Sequence, residues 1–468
     1  MSQSITADFA MGAERTTSIR IARLLNRVVF VSLLVLLAGS AIPYGTVEPW
    51  WKATFVCGVF TICIVAIVES LLSREIRIGG SRGVLLAMLS MAAFAFAQTI
   101  RLRSGNADPA ISALNPWNAI SGDPYQTRFF AFQLLALTTC LLMLYRYCAT
   151  EKRINVLIHV VLGVAVASAF FGILRQTAQL QPGFVLPRTM PGQGYGQFIN
   201  KNHFALLMEM ALGLGLGIGL TRGLTRERVL SYVALLIPIW MGLVLSNSRG
   251  GILAMLAQVV VASLLLTSGK VGYGHAPAAY RFLRSKLVRV VLLICLVGVV
   301  FVGAVWVGGD KLVSSFGNAS TEIYPGSTGL RGGATRNEIW RASWKMFTAH
   351  PVLGVGMGAY WVSITAYHDA SGVMTPQEAH NDYLELLASG GLVGLAIGIW
   401  FVVSLFRAVR VNLASENRFQ RAICFAAVLG MTGVAVHSLV DFGLHLLVNA
   451  FVFLVLVMLA TKRLDVQS

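Results

Sequence analysis

The stretch PQEAHNDYLE, Pro376 to Glu385, runs without a break into LLASGGLVGLAIGIWFVVSLF, residues 386–406. A membrane-crossing helix needs about 20 mainly apolar residues, so the pair reads as a polar mouth on a spanning helix. Similar apolar runs lie near 28–44, 51–72, 82–100, 128–148, 153–174, 203–221, 228–245, 250–267, 287–307, 419–440 and 445–461. The runs are continuous and lack period-2 alternation, and in lipid only helices or closed barrels satisfy their backbone groups. They predict an all-α polytopic membrane protein of about twelve transmembrane helices. Composition agrees: the 468 residues are 56% hydrophobic and 12% charged, against roughly 25% charged in soluble domains. Mean hydropathy is +0.71. The net charge of +17 reflects arginine between spans and does not point to nucleic acid.

Residues 1–27 are polar and carry Arg15, Arg20, Arg23 and Arg27. A cleaved signal peptide finds faint support in Ala38-Gly39-Ser40-Ala41. The second apolar run, starting at Trp50, favours an uncleaved first span. With the N-terminus in the cytoplasm, the inner segments hold 24 of the 37 Lys and Arg residues, as the positive-inside bias requires. The expected organisation is a cytoplasmic segment 1–27, spans one to nine over 28–307, a large outer loop 308–384, spans ten to twelve over 385–461, and a tail 462–468. Shorter outer segments lie at 101–127 and 175–202. The six cysteines, Cys57, Cys63, Cys140, Cys148, Cys295 and Cys424, fall in or at the ends of apolar runs and read as small core residues. Within the large loop, Arg336 to His350 reads as an amphipathic helix ending at Pro351. Ile339, Trp340, Trp344 and Phe347 share one face. That face suits either the membrane interface or packing on the spans beneath.

Four polar clusters sit at outer helix ends. They are Asn200-Lys201-Asn202-His203, Ser246-Asn247-Ser248-Arg249-Gly250-Gly251, His380-Asn381-Asp382, and His437, Asp441, His445 and Asn449. In this topology spans six, eight, ten and twelve start at the outer face, where helix N-termini present free N–H groups and the positive end of the dipole. With Lys201 and Arg249 added, they make a candidate anion site. An anion held near apolar helices points to a lipid-linked phosphate or pyrophosphate. Glycan transfer from such a donor needs cations for the leaving group and a base near neutral pH, for which His380 is the candidate. Plainer roles compete. His380 can be a solvated loop histidine, His203 a cap, and Arg249 a snorkelling cation. Asp382 with Glu385 resembles a capping box with Asp382 as cap. His437, Asp441 and His445 have a weak metal-site spacing, interrupted near Gly443. Glu209 lies two turns into span six without an evident partner, and the glycines at 354, 356 and 358 lack the strand that a phosphate loop requires.

Together these motifs resemble the bacterial O-antigen ligase and O-antigen polymerase superfamily. The run His380-Asn-Asp-Tyr-Leu-Glu-Leu-Leu-Ala-Ser-Gly-Gly-Leu-Val-Gly394 carries most of the likeness. Ser246–Gly251, Asn200–His203, Arg336–Trp340 and His350–Gly356 add to it. The similarity is clearest from about 190 to 450. It implies a GT-C-like inverting glycosyltransferase of the bacterial inner membrane that needs neither metal nor other cofactor and works at the periplasmic face. The implied donor is a glycan on undecaprenyl pyrophosphate. The acceptor would be lipid A-core in a ligase, another glycan in a polymerase, or a protein in an O-oligosaccharyltransferase. By the same resemblance His380 maps to the catalytic histidine and Arg249 to the pyrophosphate. Lys201 takes the place of a second basic residue that is often arginine, with Arg188 a weaker candidate. Arg336, His203, Asn381 and Asp382 complete the expected binding set, supported by Asp441 and His437. The rival class is a lipid-linked glycan flippase or transporter. That class favours ionisable groups near the bilayer midplane, whereas these cluster at one face.

Overall fold

The computed structural model describes residues 2–42, 44–74, 79–101, 119–177, 194–221, 226–267, 298, 302, 335–368 and 376–464. Arg188, Cys295 and nearly all of the expected span at 287–307 lie outside them. The longer helices are α1 (Ser2–Ala41), α2 (Pro49–Ser73), α3 (Arg82–Gln98), α4 (Pro124–Tyr147), α5 (Glu151–Thr177) and α6 (Lys201–Thr221). They continue with α7 (Arg226–Leu245), α8 (Arg249–Thr267), α9 (Arg336–Ala349), α10 (Asp382–Leu413), α11 (Arg418–His437) and α12 (Leu447–Thr461). No strand occurs among the described residues, only two isolated bridges. Among the described residues, seven helices are long and apolar enough to cross a membrane, and four shorter apolar ones accompany them. The protein is an all-α, multi-pass membrane protein.

Local chemistry sets the helix starts. Asp123 caps α4 by accepting from the Tyr125 and Gln126 amides, with Pro124 in the first turn. Asn417 caps α11 through the Gln420 amide. Such caps satisfy backbone donors that the helix itself leaves unpaired. Every residue of α12 is apolar except Asn449 and Thr461, and all but Phe453 are buried. A helix apolar all round belongs inside a bundle. α6 and α11 cross closely because Gly213 faces Gly430 and Gly217 faces Ala426. Small residues of this kind let membrane helices approach.

Two features build the end of the bundle that carries the polar clusters. First, α10 is broken: Gly391 adopts φ 58°, ψ −157°. The loop 351–356 pairs with the broken backbone. Leu392 N donates to Pro351 O at 2.8 Å, and Gly356 N donates to Ser389 O at 3.0 Å. A Cβ on Gly391 would lie 2.5 Å from Val352 O, and one on Gly354 would collide with Ser389 O. The loop glycines are therefore spacers for helix docking. Second, α9 packs against this end. It opens on a capping box, Thr335 with Glu338, which the sequence reading did not use. The buried face is Ile339, Ala342, Ser343 and Met346, packed on Val355, Tyr360, Ile364 and Ala388. On the expected face Trp344 and Phe347 lie side by side, ring centroids 5.3 Å apart, with Trp344 exposed and Ile339 buried towards the loop and the start of α10.

Candidate functional site

The four polar clusters meet at one end of the bundle. Asp441, in the turn between α11 and α12, is fully buried and is their hub. His380 Nδ1 lies 3.4 Å and His203 Nε2 3.8 Å from its Oδ1. Burial pushes the Asp441 carboxyl up, but the imidazoles of His380, His203 and His437 outweigh burial and hold it well below the usual carboxylate range. Phe442 packs its ring against His203, His380 and His445 at 4.7, 4.8 and 5.7 Å between centroids.

His380 sits in the left-handed region at φ 51°, a conformation that costs a non-glycine residue about 1 kcal/mol. Its neighbours hold it there. Trp340 of α9 donates Nε1–H to Ala379 O at 3.0 Å. Asn381 accepts from Leu384 N and donates to Leu439 O, both at 3.0 Å. The cap of α10 is thus Asn381, which corrects the assignment to Asp382. Asn381 is committed to the backbone, and Asp382 is released. The Asp382 carboxylate accepts from Ser438 Oγ at 2.6 Å and faces His445 Nε2 at 3.7 Å.

Lys201 and Arg249 are each the first residue of a helix, α6 and α8. Lys201 Nζ donates to Asn247 O at 3.1 Å, and Ser248 Oγ donates to Asn202 Oδ1 at 2.9 Å. The two basic helix starts are therefore stitched side by side. Gly250 faces the His437 ring, where a Cβ would lie 3.1 Å from Nε2. His437 Nδ1 in turn lies 3.0 Å from Glu209 Oε2, which names the partner that Glu209 lacked in the sequence. Arg336 opens α9, and among the described residues no hydrogen bond or ion pair is recorded between it and the Asp441 cluster. His437, Asp441 and His445 do not converge on one point: each faces different partners.

A second constellation was not foreseen. His445 lies between Glu378 Oε1 at 3.6 Å and Glu385 Oε1 at 3.4 Å. Their ligand atoms fall within 4.8 Å of one another, close enough to hold a cation. Glu378 and Glu385 stand in one polar stretch, but His445 is sixty residues further on, and spacing alone does not pair them.

The fold and this geometry define a class: a multi-pass helical membrane protein with a polar cluster where several helix ends meet. Residues 233–399 match the family model described as O-Antigen ligase. The resemblance to the O-antigen ligase and polymerase superfamily holds over that segment, which includes Arg249, Arg336, His380 and the α10 break. The chain is also similar to the Exopolysaccharide production protein ExoQ of Rhizobium meliloti (strain 1021). The two are 27% identical over 194 residues, 38% of this chain and 41% of that protein. The chain thus spans about two fifths of the length of that relative.

Proposed function

We propose that this protein transfers a glycan from undecaprenyl pyrophosphate to an acceptor hydroxyl, with inversion, at the periplasmic face of the bacterial inner membrane. The observation that carries the reading is His380 held against buried Asp441 beside two basic helix starts. An aspartate at Nδ1 orients an imidazole and leaves Nε2 as the base, the logic of any Asp–His pair. His380 Nε2 takes the acceptor O–H proton. The acceptor oxygen bonds to the anomeric carbon as the bond from that carbon to the pyrophosphate oxygen breaks. The electron pair leaves with the lipid pyrophosphate, whose charge is met by Lys201, Arg249 and the N-termini of α6 and α8. Lysine here acts as a point charge without the fork of arginine.

Two versions are each favoured by one observation. The matching family description favours a ligase acting on lipid A-core. The name of the exopolysaccharide relative favours a polymerase that joins glycan to glycan. Purified protein given a lipid-linked glycan, with lipid A-core or a second donor molecule as acceptor, separates them by the anchor and size of the product. In that assay His380→Ala is expected to lose transfer by 100-fold or more, the low end of what a general base contributes, at unchanged protein level. Near-normal transfer by the variant removes the catalytic assignment. Flipping or uptake without transfer supports the transporter class instead.

A further inference from the structure

Next to the Asp441 cluster lies a cavity of about 540 Å³ that the reaction above does not use. Its walls come from the start of α2, one face of α4, residues 357–361 and the segment 377–389. Its volume falls within the range usual for small-molecule sites. His445 and Asp382 line it, and Phe442 packs against both His445 and His380, so the cavity borders the proposed base.

The cavity wall has unused hydrogen-bonding capacity. Ser389 is 2% exposed, and its hydroxyl has no partner. Glu378 Oε2 is likewise buried without one. The side-chain amides of Gln126 and Gln133 on α4 also line the space. A buried hydroxyl left unpaired is unfavourable, so these groups mark a place where something polar is meant to bind. Trp50 and Trp361 add exposed rings at the wall, flat surfaces suited to the C–H faces of a sugar. The charges are three carboxylates, Glu378, Asp382 and Glu385, against His445 and Lys52. Carboxylates accept hydrogen bonds from hydroxyls, and the two bases offset the acids, so the wall as a whole suits an uncharged ligand.

We propose that this cavity is the subsite of the accepting saccharide, an uncharged, hydroxyl-rich glycan, while the pyrophosphate lies at Lys201 and Arg249. The inference rests on the glycan-transfer reading and adds to it where the acceptor binds and what chemistry it must have.

The test uses the full chain in lipid nanodiscs with a lipid-linked glycan donor and, as acceptor, lipid A-core or the same glycan freed of its lipid pyrophosphate, so that donor and acceptor vary separately. Ser389→Ala, Gln133→Leu and Trp361→Ala are expected to raise the acceptor KM about tenfold and leave the donor KM within twofold. Ser389→Ala carries a further signature. Removing an unpartnered buried hydroxyl leaves the thermal midpoint unchanged or higher, so its KM effect cannot come from misfolding. Inorganic pyrophosphate is expected to compete with donor and not with acceptor, equally in wild type and variants. The inference is overturned if the variants move the donor KM, if they alter pyrophosphate inhibition, or if the acceptor KM stays put. A wild type that transfers from no donor defeats the glycan-transfer reading, and this inference with it. An active wild type with unaffected variants defeats this inference alone.

Discussion

His445 faces carboxylates with both ring nitrogens: Glu378 at Nδ1, and Asp382 and Glu385 at Nε2. Burial pushes the imidazole down, but Glu385, Glu378 and Asp382 outweigh it and His445 is pushed up to about 10. A group whose folded value is raised stabilises fully below its unfolded value, 6.5 for His445, and that contribution fades as pH climbs towards 10. The thermal midpoint is therefore expected to fall between pH 6.5 and 10. His445→Gln should flatten that slope, and an unchanged slope in the variant would show that other groups titrate instead. Glu209 and His437 also form a buried pair, 0% and 1% exposed. Removing one partner of a buried pair costs about 3–5 kcal/mol, whereas apolar replacement of both is often neutral. Glu209→Ala should lower the midpoint in detergent strongly, and Glu209→Met with His437→Leu should recover most of it. Equal loss in the single and double variants contradicts the pairing.

At the scale of elements, the start of α10 decides how the site is presented. A shift of one residue in its cap turns Asp382 from a backbone partner into a cavity carboxylate. Loss of an N-cap costs about 1 kcal/mol. Asn381→Ala should lower stability by that amount, while Asn381→Ser should keep both the fold and most of the transfer. If Asn381→Ser is as inactive as His380→Ala, Asn381 touches substrate after all. The break at Gly391 has a related consequence. It lets the first turns of α10 dock on α9 and the loop 351–356, and Gln98 of α3 clamps that joint by donating to Leu353 O at 2.6 Å and Ser389 O at 3.1 Å. Trp340 then carries the position of α9 to the residue before His380.

For the whole molecule, the bundle places the polar groups at one end and the enclosed apolar helices between the ends. The basic residues outside that end, such as Arg407, Arg410, Arg418 and Arg421, predict its orientation by the positive-inside rule. A cysteine at Gln377 should react with a membrane-impermeant maleimide added to intact spheroplasts, and one at Glu416 only after permeabilisation. The reverse pattern would put the polar cluster on the cytoplasmic side and leave the proposed donor without access.

What the sequence determined by itself was the class of fold and the membership of the polar clusters. Hydropathy adds up locally along the chain, so every spanning helix among the described residues was legible as a run. The motifs around Arg249 and His380 were legible because short polar stretches interrupt such runs. The α9 helix was also readable, but its buried face was not, because periodicity finds a stripe and not the neighbour that covers it. Only the tertiary structure decided that Asp441 is the hub, that Glu209 pairs with His437, and that His445 sits among Glu378, Asp382 and Glu385. Those contacts join positions 60 to 238 residues apart in the chain, and where helix ends meet depends on packing, which no local pattern encodes.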